Sequence, residues 1–259
     1  MSIEGKGLRG MTFLAFLPLV VLLAGCSTMG SKSFTLKTNL PANFNITADV
    51  YYSPATGATC VMPPTTSSYI PGRKRLRSEM QDIEHSVEFE IPLSDSAGGC
   101  PLYLRSVRLD IQGKWGPGAD DVSNDVAGLS FVDQSNKTNN VYNGECQWLF
   151  RTVGPQHHII KLLKCRAVDD KGDVLKQLAG GVLERDLLVG RAVSINFTIA
   201  KKESPAIDGN WIEFPAGWKR CLGKDFSDRD AYCGENRKEF KSFIMPDGRD
   251  CNVYPNCIE

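Results

Sequence analysis

The chain reads as a mainly β protein, an antiparallel β-sandwich or open barrel that ends in a small disulfide-rich module. Three observations predict this. Apolar residues recur with period two along most of the body, turn-forming pairs separate those runs, and four cysteines crowd the last fifty residues.

Residues 1–25 are set apart from the fold. Lys6 and Arg9 precede an apolar stretch, Met11 to Leu23, broken in polarity only by Thr12. It is shorter than the ~20 apolar residues needed to cross a bilayer. A positive start, a short apolar middle and small residues at the cut are the pattern of a secretory signal. The cut region, Leu22-Leu23-Ala24-Gly25-Cys26, resembles the bacterial lipobox, in which the cysteine thiol takes a diacylglycerol before cleavage. The expectation is an acylated Cys26, a flexible tether over 26–33, and attachment to a membrane through the lipid anchor. More than one acyl chain makes such attachment durable, at about 0.8 kcal/mol per buried methylene. In Gram-negative sorting, Ser27 after the cysteine favours the outer membrane, with the protein facing the periplasm.

The body from 34 to 200 is expected as the β domain. Phe34 and Leu36 alternate with Thr35 and Lys37; Ile46 to Tyr52 forms a second run. Val87, Phe89 and Ile91 alternate with Glu88 and Glu90 until Pro92 stops the strand. The clearest run is Leu102 to Ile111, where Leu104, Val107, Leu109 and Ile111 interleave with Arg105, Arg108 and Asp110. Further strands are expected over Leu129 to Asp133, Gln147 to Val153, His158 to Ala167, Gly181 to Glu184 and Ala192 to Ala200. Eight or nine short strands at this spacing suit a sandwich or open barrel. No long amphipathic helix and no internal repeat stand out.

A boundary is expected near Lys201 to Asp208, giving a Cys-rich module over 201–259. This module carries Trp211, Phe214, Trp218, Phe226, Tyr232, Phe240, Phe243 and Tyr254. So small a piece buries little apolar area alone, and disulfides compensate. Met245-Pro246-Asp247-Gly248-Arg249 reads as a hairpin with Asp247-Gly248 at its tip.

Nine cysteines less Cys26 leave eight: Cys60, Cys100, Cys146, Cys165, Cys221, Cys233, Cys251 and Cys257. An even number in an exported chain reads as four disulfides. Cys60–Cys100 and Cys146–Cys165 are the favoured early pairs, and the late four keep three possible connectivities. Zinc is disfavoured because no Cys-x-x-Cys occurs.

The sequence offers no recognisable chemistry and no cofactor site. It lacks a Gly-x-Ser-x-Gly elbow, a His-Glu-x-x-His helix, a phosphate loop and a dinucleotide fingerprint. His157 and His158 are adjacent, so on a strand they face opposite ways; His85 reads as a solvated edge residue. Lys and Arg number 30 against 30 Asp and Glu, so no global field attracts nucleic acid. The stretch Gly113 to Gly128, with Asp120, Asp121 and Asp125, reads as an acidic loop, its spacing unlike a calcium-binding EF-hand loop. The basic run Arg73, Lys74, Arg75 and Arg77 reads as solvated or as a contact for an acidic partner or lipid headgroups. The chain is therefore expected not to be an enzyme.

Several segments resemble a known kind of protein. These are Val50-Tyr51-Tyr52-Ser53-Pro54 followed by Cys60, Gly99-Cys100-Pro101-Leu102, Cys146-Gln147-Trp148-Leu149-Phe150-Arg151-Thr152, and Met245-Pro246-Asp247-Gly248-Arg249-Asp250-Cys251. Together with the lipobox they are similar to proteobacterial immunity lipoproteins encoded beside type VI secretion effectors. The resemblance implies a periplasmic protein that binds and blocks a toxin, a lipase or peptidase, and it carries no catalytic residues with it. Interfaces of this kind are anchored by aromatic and arginine side chains, which selects Arg73, Arg75, Trp115 and Trp218, with Asp120 and Asp121 at the rim. The alternative is a structural or scaffold envelope lipoprotein without a toxin partner.

Overall fold

Period-two burial runs through the long strands of the molecule. The computed structural model describes residues 32–67, 69–134, 139–223, 231–234 and 236–257. The expected signal segment, Cys26 and all of the expected tether but Lys32 and Ser33 lie outside those residues. One sheet is built from β1 (Ser33–Leu40), β4 (His85–Pro92), β8 (Val141–Val153), β9 (His158–Val168) and β11 (Ala192–Ile199). A second is built from β2 (Phe44–Pro54), β3 (Arg73–Arg77), β5 (Ser94–Ala97), β6 (Cys100–Lys114), β7 (Val122–Val132) and β10 (Gly180–Glu184). The first runs β4-β1-β11-β8-β9 and the second β3-β2-β6-β7-β10, with β5 beside β6.

The two sheets face one another across a core. Phe34 of β1 meets Phe131 of β7 at 5.5 Å between ring centroids, and Phe44 of β2 meets Trp148 of β8 at 6.0 Å. Leu36, Ile46, Val50, Leu104, Leu109, Ile111, Val193 and Ile195 fill the space between. The chain turns from one sheet into the other at Pro92-Leu93. There the Leu93 N–H donates to the Lys32 carbonyl while the Leu93 carbonyl accepts from the Leu104 N–H.

The mainly β class holds, and the sheets are mixed. β1–β11, β11–β8 and β10–β7 pair in parallel, while β1–β4, β2–β3, β2–β6, β6–β7 and β8–β9 are antiparallel. Burial alternates identically in both directions, so the pattern cannot report strand direction. The parallel register stacks like on like. The Asn39 side-chain amide donates to Asn196 at 2.6 Å and that of Asn196 to Asn143 at 3.0 Å, across three neighbouring strands.

The C-terminal residues continue this architecture. β12 (Ser204–Pro205) pairs with β8, and β15 (Phe243–Ile244) joins β9 with β16 (Asp250–Cys251) beside it. A separate hairpin, β13 (Trp211–Phe214) and β14 (Gly217–Arg220), lies next to them. Phe150 of β8 and Ile159 of β9 share a second core with Trp211, Phe243, Cys251 and Tyr254. The expected hairpin at 245–249 is present: the Met245 N–H donates to the Arg249 carbonyl, and Gly248 takes φ +86° at the tip. That left-handed value is one glycine adopts without a Cβ penalty.

Four disulfides close the described chain. Cys60–Cys100 and Cys146–Cys165 match the expected early pairs, and the open late connectivity resolves as Cys221–Cys233 and Cys251–Cys257. Cys146 and Cys165 stand directly opposite on β8 and β9. Cys60 ties the 55–72 loop to the first residue of β6.

Candidate functional site

The second sheet has an outer face whose polar side chains are organised around one carboxylate. On β2, Ile46, Ala48 and Val50 are fully buried toward the core, so Thr47, Asp49 and Tyr51 point outward. Asp49 stands opposite Arg75 on β3 and Arg108 on β6. Despite its outward direction Asp49 is only 2% exposed. Two guanidinium groups cover it. Arg73 donates from Nε and Nη2 at 3.1 and 2.7 Å, and Arg75 from Nε and Nη2 at 2.8 and 2.9 Å. Both pairings are bidentate, the geometry in which a planar guanidinium binds a carboxylate most strongly.

The electrostatics follow from that geometry. Hydrogen bonds from Arg75 first, and then Arg73, hold the Asp49 carboxyl at about 2, against the opposing effect of burial. The same bonds raise both arginines above their ordinary value. Arg73 also lies over the Tyr51 ring, 5.7 Å from its centroid. Arg108, exposed on the neighbouring strand, pairs with Asp110 at 2.9 Å. Arg77 is exposed two residues beyond Arg75 and has no ion-pair partner among the described residues. Arg73, Arg75, Arg77 and Arg108 thus outnumber Asp49 and Asp110, and the face carries net positive charge although the chain as a whole is neutral.

The six expected contact residues separate into three places. Arg73 and Arg75 belong to the face just described; the basic run forms a strand on which Lys74, Arg75 and Arg77 are exposed. Trp115 follows β6 and is half-buried, with its backbone N–H donating to the Asp121 carbonyl at 2.9 Å. Asp120 is exposed there. Asp121 is committed to its own loop, accepting from the Gly118 N–H at 2.8 Å. Trp218 lies on β14, where its ring packs 5.9 Å from that of Phe150 and its backbone pairs with Tyr254. It is half-buried against the second core and lies apart from the arginine face. The acidic stretch 113–128 is also corrected: only 115–121 separates β6 from β7. Asp125 lies on β7, accepting from the Cys165 N–H at 2.6 Å and from Arg166 at 3.1 Å.

Arg77, already part of the basic run in the sequence, completes the face together with Asp49, Tyr51 and Arg108, which the sequence did not single out as contact residues. The available signal was an acid at 49 between apolar neighbours, together with arginines at positions 73, 75 and 77. It becomes informative only when β2 and β3 are known to be partners.

Elsewhere the surface offers less chemistry. An open cleft of about 740 Å³ lies beside the start of β8, the end of β9 and β10, rimmed by exposed Val141, Leu178 and Val182. Asp169 and Asp170 line it, and Asp169 accepts from the N–H groups of Lys171 and Asp173. His85 bonds the Ile83 carbonyl and His158 the Gln156 side chain. Burial, and then the charges of Arg220 and Lys241, lower His157. Among the described residues no three His, Cys, Asp or Glu side chains group to hold a metal ion. No protein-family model, no curated protein and no solved structure matches this chain.

Proposed function

We propose that this chain is an outer-membrane-anchored periplasmic lipoprotein that binds and neutralises an antibacterial type VI secretion toxin. The observation that carries the reading is the arginine face around Asp49. Two guanidinium groups are oriented before any partner arrives, so little side-chain entropy is lost on binding. Arginine and tyrosine are also the side chains that most often anchor protein interfaces. The disulfides add to this support, because a stapled frame presents the face without rearrangement. The resemblance of residues 22–26 to a lipobox supports the same reading, since an acylated Cys26 would hold the blocker on the periplasmic side.

Inhibition by binding demands tightness, since each unblocked toxin molecule turns over many substrates. The expected affinity for the toxin encoded next to this gene is nanomolar or better, about −12 kcal/mol. The test is a deletion strain in competition with a sibling that secretes that toxin, paired with calorimetry on the purified proteins. Sensitivity of the deletion strain and nanomolar binding are expected. A resistant deletion strain together with no binding would leave the scaffold alternative.

A further inference from the structure

β3 is the last strand of its sheet, and its hydrogen-bond parity is readable. Tyr52 donates from its N–H to the Gly72 carbonyl at 2.7 Å, and Ser78 donates to the Ile46 carbonyl at 3.0 Å. With Tyr51 opposite Arg73, Asp49 opposite Arg75 and Thr47 opposite Arg77, the even-numbered residues bond β2. The backbone groups of Arg73, Arg75 and Arg77 therefore point away from the sheet. The Arg73 N–H is used by the Ile70 carbonyl at 3.1 Å. The Arg73 carbonyl, and both backbone groups of Arg75 and Arg77, have no hydrogen-bond partner among the described residues. The arginine side chains on these same residues project from the outer face, two residues and about 6.8 Å apart along the strand.

We propose that β3 accepts an extended acidic segment of a partner protein as an added strand, its alternate carboxylates pairing with Arg73, Arg75 and Arg77. The proposal rests on the toxin-binding reading only for the identity of that partner. Strand addition satisfies the free backbone groups of Arg75 and Arg77, and a segment with acids at every second position sets each carboxylate beside an arginine. Directly opposed residues on paired strands stand about 5 Å apart at Cβ, within salt-bridge reach. Anionic lipid headgroups match the charge but lack the regularly spaced N–H and C=O groups of a strand.

Charged side chains also protect sheet edges against unwanted pairing. A protective charge works as well when mobile and hydrated. Here the buried Asp49 pins two of the three arginines, each through Nε and Nη2, and neither Nη1 group is used in those bonds. Protection does not require that orientation; recognition does. An added strand alone is smaller than a standard interface of about 1,600 Å², so Tyr51 and Arg108 on the adjoining strands supply the continuing surface.

The experiment uses the mature lipoprotein in detergent with two end-blocked peptides of equal composition, Thr-Glu-Val-Glu-Val-Glu-Thr and Thr-Val-Glu-Glu-Glu-Val-Thr. The alternating peptide is expected to bind at least tenfold more tightly and to slow amide hydrogen exchange at Arg75 and Arg77. Because Arg75→Glu also disturbs Asp49, the paired variant is Arg77→Glu, whose side chain does not touch that carboxylate; it should lower peptide affinity at least tenfold. Equal binding of the two peptides overturns the proposal. So does unchanged exchange at Arg75 and Arg77, or stoichiometric displacement of the peptide by short-chain phosphatidylglycerol. A neighbouring toxin that binds Arg77→Glu as tightly as the parent also removes β3 as the docking edge while leaving the immunity reading intact. Peptide binding with the expected protection, but no toxin binding, upholds β3 and removes the immunity reading.

Discussion

Asp49 governs the candidate face through a balance of two large effects. Burying a carboxylate raises its cost, and four charge-assisted hydrogen bonds from Arg73 and Arg75 overcome it, leaving the folded-state value at about 2 against an ordinary 3.8. A depressed acid contributes stability above the ordinary value and loses it as pH falls toward the folded one. The contribution is about 2 kcal/mol at neutral pH, taking 1.36 kcal/mol per unit. Asp49→Asn should therefore unfold at lower urea by that amount at pH 7, and its deficit should shrink steadily between pH 4 and pH 2. A deficit independent of pH in that window would assign the loss to packing and not to charge. Nothing in the local sequence announces this role, because Asp49 sits in an ordinary alternating strand and its partners lie 24 and 26 residues away.

At the scale of elements, β8 and β9 carry the C-terminal residues as an extension of their own sheet. The decisive contact is Tyr254, which is 1% exposed and stacks on Phe150 at 4.1 Å between centroids. Its hydroxyl donates to Glu203, which also accepts from Lys161 at 2.6 Å. Burial first, and then Glu203, raise the Tyr254 phenol well above its usual range. Tyr254→Ala removes a fully enclosed ring and should cost about 3–5 kcal/mol, read as a lower urea midpoint. A loss under about 1 kcal/mol would mean that the disulfides alone hold these residues in place. The aromatic richness of this segment was plain in the sequence. Its dependence on Phe150 and Ile159 was not, since a hydrophobic count does not say which surface the rings cover.

At the scale of the whole molecule, a lipid anchor and a docking face would act together. On the proposed function, tethering at the membrane would raise the local concentration of the binder where a toxin is delivered. Cys26→Ala should abolish palmitate labelling and, because acylation precedes cleavage, leave an unprocessed precursor that still carries the apolar stretch Met11 to Leu23, and cells carrying it should be protected less well than the parent. Palmitate incorporation into the mutant would refute acylation at Cys26. The neutral charge of the whole chain conceals a positive sheet face, so binding through that face should weaken as salt rises.

The sequence by itself determined the class of structure, the position of most long strands and two of the four disulfides. Each depends on local information: which side of the backbone is apolar, where turns interrupt it, and which cysteines stand a plausible loop apart. Only the tertiary structure decided strand direction, the late cysteine pairing and the assembly of Asp49, Arg73, Arg75 and Arg108 into one face. Those features depend on which strands become neighbours. That choice is made by burial of two whole sheets against each other, an energy summed over dozens of residues and present in no single stretch of chain.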